Sequence, residues 1–161
     1  MGDCHPEITV AALAEQHGRF LLVEERIDGR LVLNQPAGHL ERGETLLQAI
    51  IREVREETAW RFSASGLVGV YLWRHPRTGR LFKRFAFAGS VSDHRPAQPL
   101  DEGIVATHWL TPEQIRAREV TLRSPLVLRC IDDFLSGARS TLAPVAQLDL
   151  DSAGAVAAAE V

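Results

Sequence analysis

Three glutamates, Glu53, Glu56 and Glu57, stand at i, i+3 and i+4. On a helix that spacing brings their carboxylates to one face. Neighbouring like charges there destabilise a helix by about 0.2–0.5 kcal/mol per pair. Near a helix C-terminus the macrodipole disfavours anions further. Arg52 can offset one carboxylate through an i, i+4 pair with Glu56, but not three. Hard divalent cations can, because an all-oxygen site suits Mg²⁺, with Mn²⁺ as a substitute. A bare Glu-x-x-Glu-Glu is most often a solvated charged face. Gly38 and Glu44, upstream of Arg52, set this segment apart.

The carboxylates need a helix to carry them. Leu47, Ile50, Ile51 and Val54 recur at helical spacing and predict one from Thr45 to Thr58, with its apolar stripe toward the core. The carboxylate face is rotated by roughly 120° from that stripe, at about 100° per residue. Thr45 followed by Gln48 reads as a capping box. Strands are expected at 7–14, 19–25, 31–35, 67–74, 81–91 and 103–110. His17-Gly18 and Asp28-Gly29 supply turns, and Pro36-Ala37-Gly38 reads as a break. Thr111-Pro112 with Gln114, and Ser124-Pro125, each place a capping hydroxyl before a helical proline, and Gly137 ends the last helix. Hairpins followed by alternating strands and helices indicate an α/β fold with a mixed sheet between helices.

The segment Gly38-His39-Leu40-Glu41-Arg42-Gly43-Glu44, continued through Arg52-Glu53-Val54-Arg55-Glu56-Glu57, resembles the signature box of the Nudix hydrolase family. Gly38, Glu44, Arg52, Glu53, Val54, Glu56 and Glu57 match its specified positions. At background frequencies of roughly 5–7% per residue type, a chance match is on the order of 10⁻⁵. Ala59 and Trp60 depart from the box, which has glycine and a smaller apolar residue there. Ala59 is expected to end the helix differently from glycine or to let it run on.

The resemblance implies the family's α/β/α sandwich with a mixed β-sheet, and Mg²⁺-dependent hydrolysis of phosphoanhydrides. It makes Glu56 the central metal ligand, with Glu53, Glu57 and the Gly38 carbonyl beside it. Arg52 would orient Glu53 and Glu56, and Glu44 would brace Arg52. The general base is expected to be Glu53 or Glu102, with Asp101 the neighbour hardest to tell from Glu102. NQPAGHLE (34–41), WRHP (73–76), HWLTPEQI (108–115) and LRSPLV (122–127) are similar to the family's NudJ-type phosphatase branch. That branch implies orthophosphate release from nucleoside tri- and diphosphates and from pyrimidine diphosphates of the thiamine route. The alternatives are an ADP-ribose or nucleotide-sugar pyrophosphatase and, from another class, a non-catalytic nucleotide-binding module. Among residues outside the box, Tyr71, Trp73, Arg84 and Phe85 are strand positions suited to contacting a base. Asn34 and Arg123 are polar candidates near the cleft.

Composition bounds the rest. The chain has 161 residues, 45% hydrophobic and 24% charged, with a formal net charge of −3. One domain of that length buries a core without disulfides. There is no basic excess to advertise general nucleic-acid binding. No apolar run reaches the roughly 20 residues of a membrane helix, and the N-terminus lacks a signal-peptide pattern. Cys4 and Cys130 lack metal or disulfide spacing, so a reducing cytoplasm is expected. The domain is expected to span 1–142, as a monomer or homodimer acting on a small molecule. The Ala-rich segment 143–161 is expected to be a poorly ordered tail.

Overall fold

A computed structural model describes residues 5–142, so the expectation for 143–161 lies outside the described residues. Strand β1 (Glu7–Gln16) is central, pairing in parallel with β6 (Leu81–Ser92) and antiparallel with the short β4 (Ala37–His39). β6 continues antiparallel to β5 (Arg61–Arg74). At its far end β1 turns into β2 (Arg19–Ile27), which is flanked by β3 (Arg30–Asn34) and β7 (Ile104–Leu110), both antiparallel. The sheet is therefore mixed, as expected.

β1 reads as a near-continuous apolar run because both of its faces are covered. On one face Val10, Ala12 and Ala14 pack with Phe87 against Ile50 and Val54 of helix α1 (Leu46–Thr58). On the other, Leu13, Phe20 and Leu22 meet Ile115 of α2 (Pro112–Arg116) and Val127, Cys130 and Ile131 of α3 (Leu126–Leu135). The result is an α/β/α sandwich. Among the described residues no helix is long and apolar enough to cross a membrane.

The capping box of α1 forms on both sides: Thr45 Oγ1 accepts from Gln48 N–H at 3.2 Å, and Gln48 Oε1 accepts from Thr45 N–H at 2.8 Å. The buried stripe differs by one turn position from the sequence reading. Ile50, Val54 and Ala49 are fully buried, whereas Ile51 is 42% exposed and Leu47 only half-buried. Ile50→Ala is accordingly expected to lower stability by about 2–5 kcal/mol in thermal or chemical denaturation. A change under 1 kcal/mol, on the order of a surface substitution, would contradict this packing.

Three further expectations change. Pro36-Ala37-Gly38 does not simply interrupt the sheet: the three residues from Ala37 form β4, too short to show periodicity. Ala59 ends α1 in the left-handed conformation that glycine would take (φ 58°), its N–H bonded to Arg55 O at 3.0 Å. Its neighbour Trp60 stacks on His94 at 4.4 Å, packing the chain immediately after this strained residue. Ser124 does not cap α3; no side-chain cap bond forms there, and its hydroxyl is buried without a partner. A one-turn 3-10 segment (Glu119–Thr121) precedes it.

Candidate active site

The last turns of α1 carry the carboxylates, and the loop 93–103 between β6 and β7 folds back over that end. It does so because helix C-terminal carbonyls lack intrahelical donors. Arg95 N–H donates to Ala59 O, Gln98 Nε2 to Arg55 O at 2.7 Å, and Asp101 N–H to Glu56 O at 3.0 Å. The same bonds deliver the Asp101 side chain. Oxygens of Glu53, Glu56 and Asp101 lie within 4.8 Å of one another, the group of acidic ligand atoms that these elements bring together. Glu102, the sequence candidate, is exposed and outside this group.

Arg52 organises two of the three. Its Nη1 donates to Glu53 Oε1 at 2.8 Å and to Glu56 Oε2 at 3.0 Å. Its Nε and Nη2 form a bidentate pair with Glu44 at 3.0 and 2.7 Å, and Nη2 also reaches His39 O. All five guanidinium N–H groups thus have acceptors. Glu44 pairs with it as expected, and the pairing holds the Glu44 carboxyl below the usual carboxylate range.

One guanidinium does not neutralise the cluster. Burial raises Glu53 above the ordinary carboxylate range, and Glu56 and Asp101 add to the rise against the opposing pull of Arg52. Glu57 points differently: its Oε2 accepts the Ala37 N–H at 2.9 Å. Burial, helped by the charges of Glu25, Glu53 and Asp101, pushes it up to about 9. An acidic, oxygen-only cluster with this excess of negative charge fits a hard divalent cation.

Gly38 meets the cluster from β4. A side chain there would overlap the Glu53 carboxylate. The glycine is thus required for close approach, not for backbone freedom. Gly38→Ala is expected to displace Glu53 and lower turnover at least tenfold, read by phosphate release; full activity would contradict the contact.

β4 also forms one wall of a cavity of about 220 Å³, lined among others by Glu25, Asn34, Trp73, Phe82, Arg84, Arg123 and Ser124. Four of the six substrate candidates therefore converge: Asn34, Trp73, Arg84 and Arg123. Tyr71 does not line it. Its hydroxyl donates to Asp133 Oδ2 at 2.9 Å beneath α3, and burial raises its pKa. Phe85 packs on the α1 side, under Lys83. Arg123 sits at the rim, and its backbone N–H donates to Leu33 O at 2.8 Å, tethering the segment before α3.

Asp101, Glu25, Phe82 and Ser124 were missed as site residues. Glu25 had a signal: it follows Leu21 and Val23 at alternate positions, so a carboxylate occupies an inward-facing place in β2. The others depend on loop and cross-strand geometry.

The family model of the NUDIX domain matches residues 5–130. The chain belongs to the Nudix family. Nudix relatives include phosphatase NudJ of Escherichia coli (strain K12), 40% identical over 137 residues, which cover 85% of this chain and 88% of that protein. A solved Nudix hydrolase from Nitrosomonas europaea is 44% identical, with a TM-score of 0.89, covering 91% of this chain and 99% of that one. A MutT Nudix hydrolase from Burkholderia pseudomallei, 19% identical with a TM-score of 0.62 over 80% of this chain and 98% of that one, shares the fold. The protein is a NudJ-like Nudix hydrolase acting on phosphoanhydrides. Nudix enzymes are typically divalent-metal dependent, in keeping with the acidic cluster.

Proposed function

We propose that this enzyme releases orthophosphate from nucleoside tri- and diphosphates and from pyrimidine diphosphates, using Mg²⁺ or, in its place, Mn²⁺. The observation that carries this is the meeting of Glu53, Glu56 and Asp101 beside a cavity sized for an organic group. The 40% identity to phosphatase NudJ supports orthophosphate as the product.

Glu53, Glu56 and Asp101 would hold the metal, with Glu57 and the Gly38 carbonyl at its edge. When bound, the ion supplies charge neutralisation of the phosphoryl oxygens and acidifies water. The chain does the rest. Arg52 keeps the Glu53 and Glu56 carboxylates in place by direct hydrogen bonds, so little reorganisation accompanies reaction. Glu53, whose burial raises the proton affinity of its carboxylate, is the group suited to accept the proton of the attacking water. The water oxygen bonds to the terminal phosphorus, the bridging P–O bond breaks with its electron pair passing to the bridging oxygen of the departing organic phosphate, and orthophosphate and that organic phosphate are the products. The cavity across β4 holds the organic end of the substrate. Buried, free Cys130 suits a reducing cytoplasm.

A product-resolved screen with Mg²⁺ over nucleoside di- and triphosphates, hydroxymethylpyrimidine diphosphate and ADP-ribose tests this. Orthophosphate from the first three groups is the expected result. AMP from ADP-ribose as the main product would make the enzyme a pyrophosphatase instead. Binding without turnover of any substrate would make it a non-catalytic module.

A further inference from the structure

The cavity beside β4 does not end at Arg123. His75, Phe82 and Arg123 line both it and a wider groove of about 1050 Å³ that contains no residue of β4 or of the acidic cluster. Three segments build this groove: the β2–β3 turn, the β5–β6 turn and the stretch that follows the 3-10 segment. Arg30, Arg77, Arg80 and Arg123 line it, against a single carboxylate, Asp28. Glu119 lines an adjoining cleft. The whole chain carries a formal charge of −3, so this basic excess is local, and a cleft concentrates its field.

Most of that charge is uncommitted. Arg80 is engaged: its Nε and Nη2 donate to Glu7 at 2.6 and 2.5 Å. Arg30, Arg77 and Arg123 form no ion pair among the described residues. Arg123 shares the charge of Glu25 at longer range, against the like charge of buried Arg84. The groove is also firmly built. His75 N–H donates to Arg80 O at 2.8 Å, and His75 Nδ1 accepts the N–H groups of Arg77 and Thr78, each at 3.2 Å. With Nδ1 an acceptor, the neutral ring carries its proton on Nε2 as a further donor. Arg30 pairs with Ile27 across the β2–β3 hairpin, and Leu122 bridges to Leu33. Guanidinium forks match phosphate oxygens in charge and in spacing. A nucleic-acid strand would need a row of aromatic platforms. Phe82 does not supply one, since the Arg80 guanidinium already covers its ring at 5.3 Å.

We propose that this groove is a second phosphate site, holding a phosphate ester carried by the organic group of the substrate, remote from the scissile diphosphate. The favoured substrates are therefore small molecules phosphorylated at two places. The diphosphate lies at the acidic cluster, the organic group occupies the β4 cavity, and the far phosphate meets the arginines and the His75 Nε2–H. The inference rests on the proposed function in placing the diphosphate; the affinity of the groove for a phosphate ester does not depend on it.

Arginine Nε–Hε NMR on the full chain in chelator reads the site without turnover. Phenyl phosphate is expected to shift the Arg30 and Arg77 signals saturably, and benzoate to bind severalfold more weakly. Arg30→Gln and Arg77→Gln assign the signals by their loss. Both residues are exposed and unpaired in ion bridges, so circular dichroism should be unchanged while each variant weakens phenyl phosphate severalfold. No saturable shift, or equal affinity for benzoate, would overturn the phosphate site. Steady-state hydrolysis with Mg²⁺ then asks where the phosphate comes from. Adenosine 3′-phosphate 5′-diphosphate is expected to exceed ADP in kcat/KM by about tenfold, mainly through KM, as charge-assisted contacts would give. The Arg30→Gln/Arg77→Gln double variant should lose that preference while its kcat/KM on ADP changes less than about threefold. Equal kcat/KM on the two nucleotides, with phenyl phosphate still bound, would give the groove to a separate phosphorylated ligand and overturn its role in the substrate. Phenyl phosphate binding without phosphate release from either nucleotide would defeat the proposed activity and leave the groove as a phosphate site.

Discussion

Glu56→Gln is expected to lower kcat at least about a hundredfold while leaving the fold intact. The first half follows from the carboxylate's place in the three-oxygen group, because removing one preorganised charged ligand forfeits several kcal/mol of transition-state stabilisation. The second half follows from its surroundings. The Glu56 side chain is 40% exposed, and Arg52 keeps Glu44 and Glu53 as partners when it is gone. Removing one of several like charges also relieves repulsion, so the melting temperature in chelator should be unchanged or slightly higher. Steady-state phosphate release and thermal denaturation read the two halves. Asp101→Asn should also lower turnover, whereas Glu102→Gln should change it less than about threefold, because only Asp101 is placed over the helix end. Activity surviving in Glu56→Gln would remove that residue from the chemistry.

The second large effect is a pH dependence of stability in the metal-free protein. Burial, with Glu25, Glu53 and Asp101 nearby, raises Glu57 from an ordinary 4.5 to about 9. Between those values the folded chain holds a proton that the unfolded chain has released. Stability must therefore fall as pH rises through that window, by up to about 1.4 kcal/mol per pH unit for one group. Below it both states are protonated and the penalty vanishes. Glu53 and Glu25, also raised by burial, act in the same direction. The decisive comparison is with Glu57→Gln, which removes this group alone. Melting temperatures in chelator should decline less steeply from pH 6 to pH 9 in that variant than in the wild type. Saturating Mg²⁺ should raise the wild-type melting temperature more at pH 8.5 than at pH 6. Parallel slopes in the two proteins would contradict the placement of Glu57.

What the sequence made readable was local. Thr45 and Gln48 announce the helix start because both halves of a capping box are encoded within four residues. The carboxylates share a face because helical periodicity is fixed, and Arg52 reaches Glu44 and Glu56 because its fork spans that distance. Placement of the acidic loop residue is a different kind of information. Asp101 rather than Glu102 enters the cluster because the Asp101 N–H satisfies a helix-end carbonyl, a bond between residues 45 positions apart. Tyr71 and Trp73 alternate alike on β5, yet α3 covers the first and leaves the second beside the cavity. Ala59 adopts the left-handed helix end of a glycine because the loop bonded to its carbonyl and the stacked Trp60 hold the chain there. Ser124 looked like a helix cap by spacing, but its hydroxyl is buried without capping α3. In each case tertiary contacts chose among options that local sequence left equal.

Anomalous diffraction from crystals grown with Mn²⁺ and a slowly hydrolysed nucleotide tests the central claim most directly. The expected result is a metal peak coordinated by oxygens of Glu53, Glu56 and Asp101 and by the phosphate chain, with Arg52 still bonded to Glu53. A metal bound elsewhere, or a phosphate chain seated away from the end of α1 with these carboxylates left in solvent, would contradict the account.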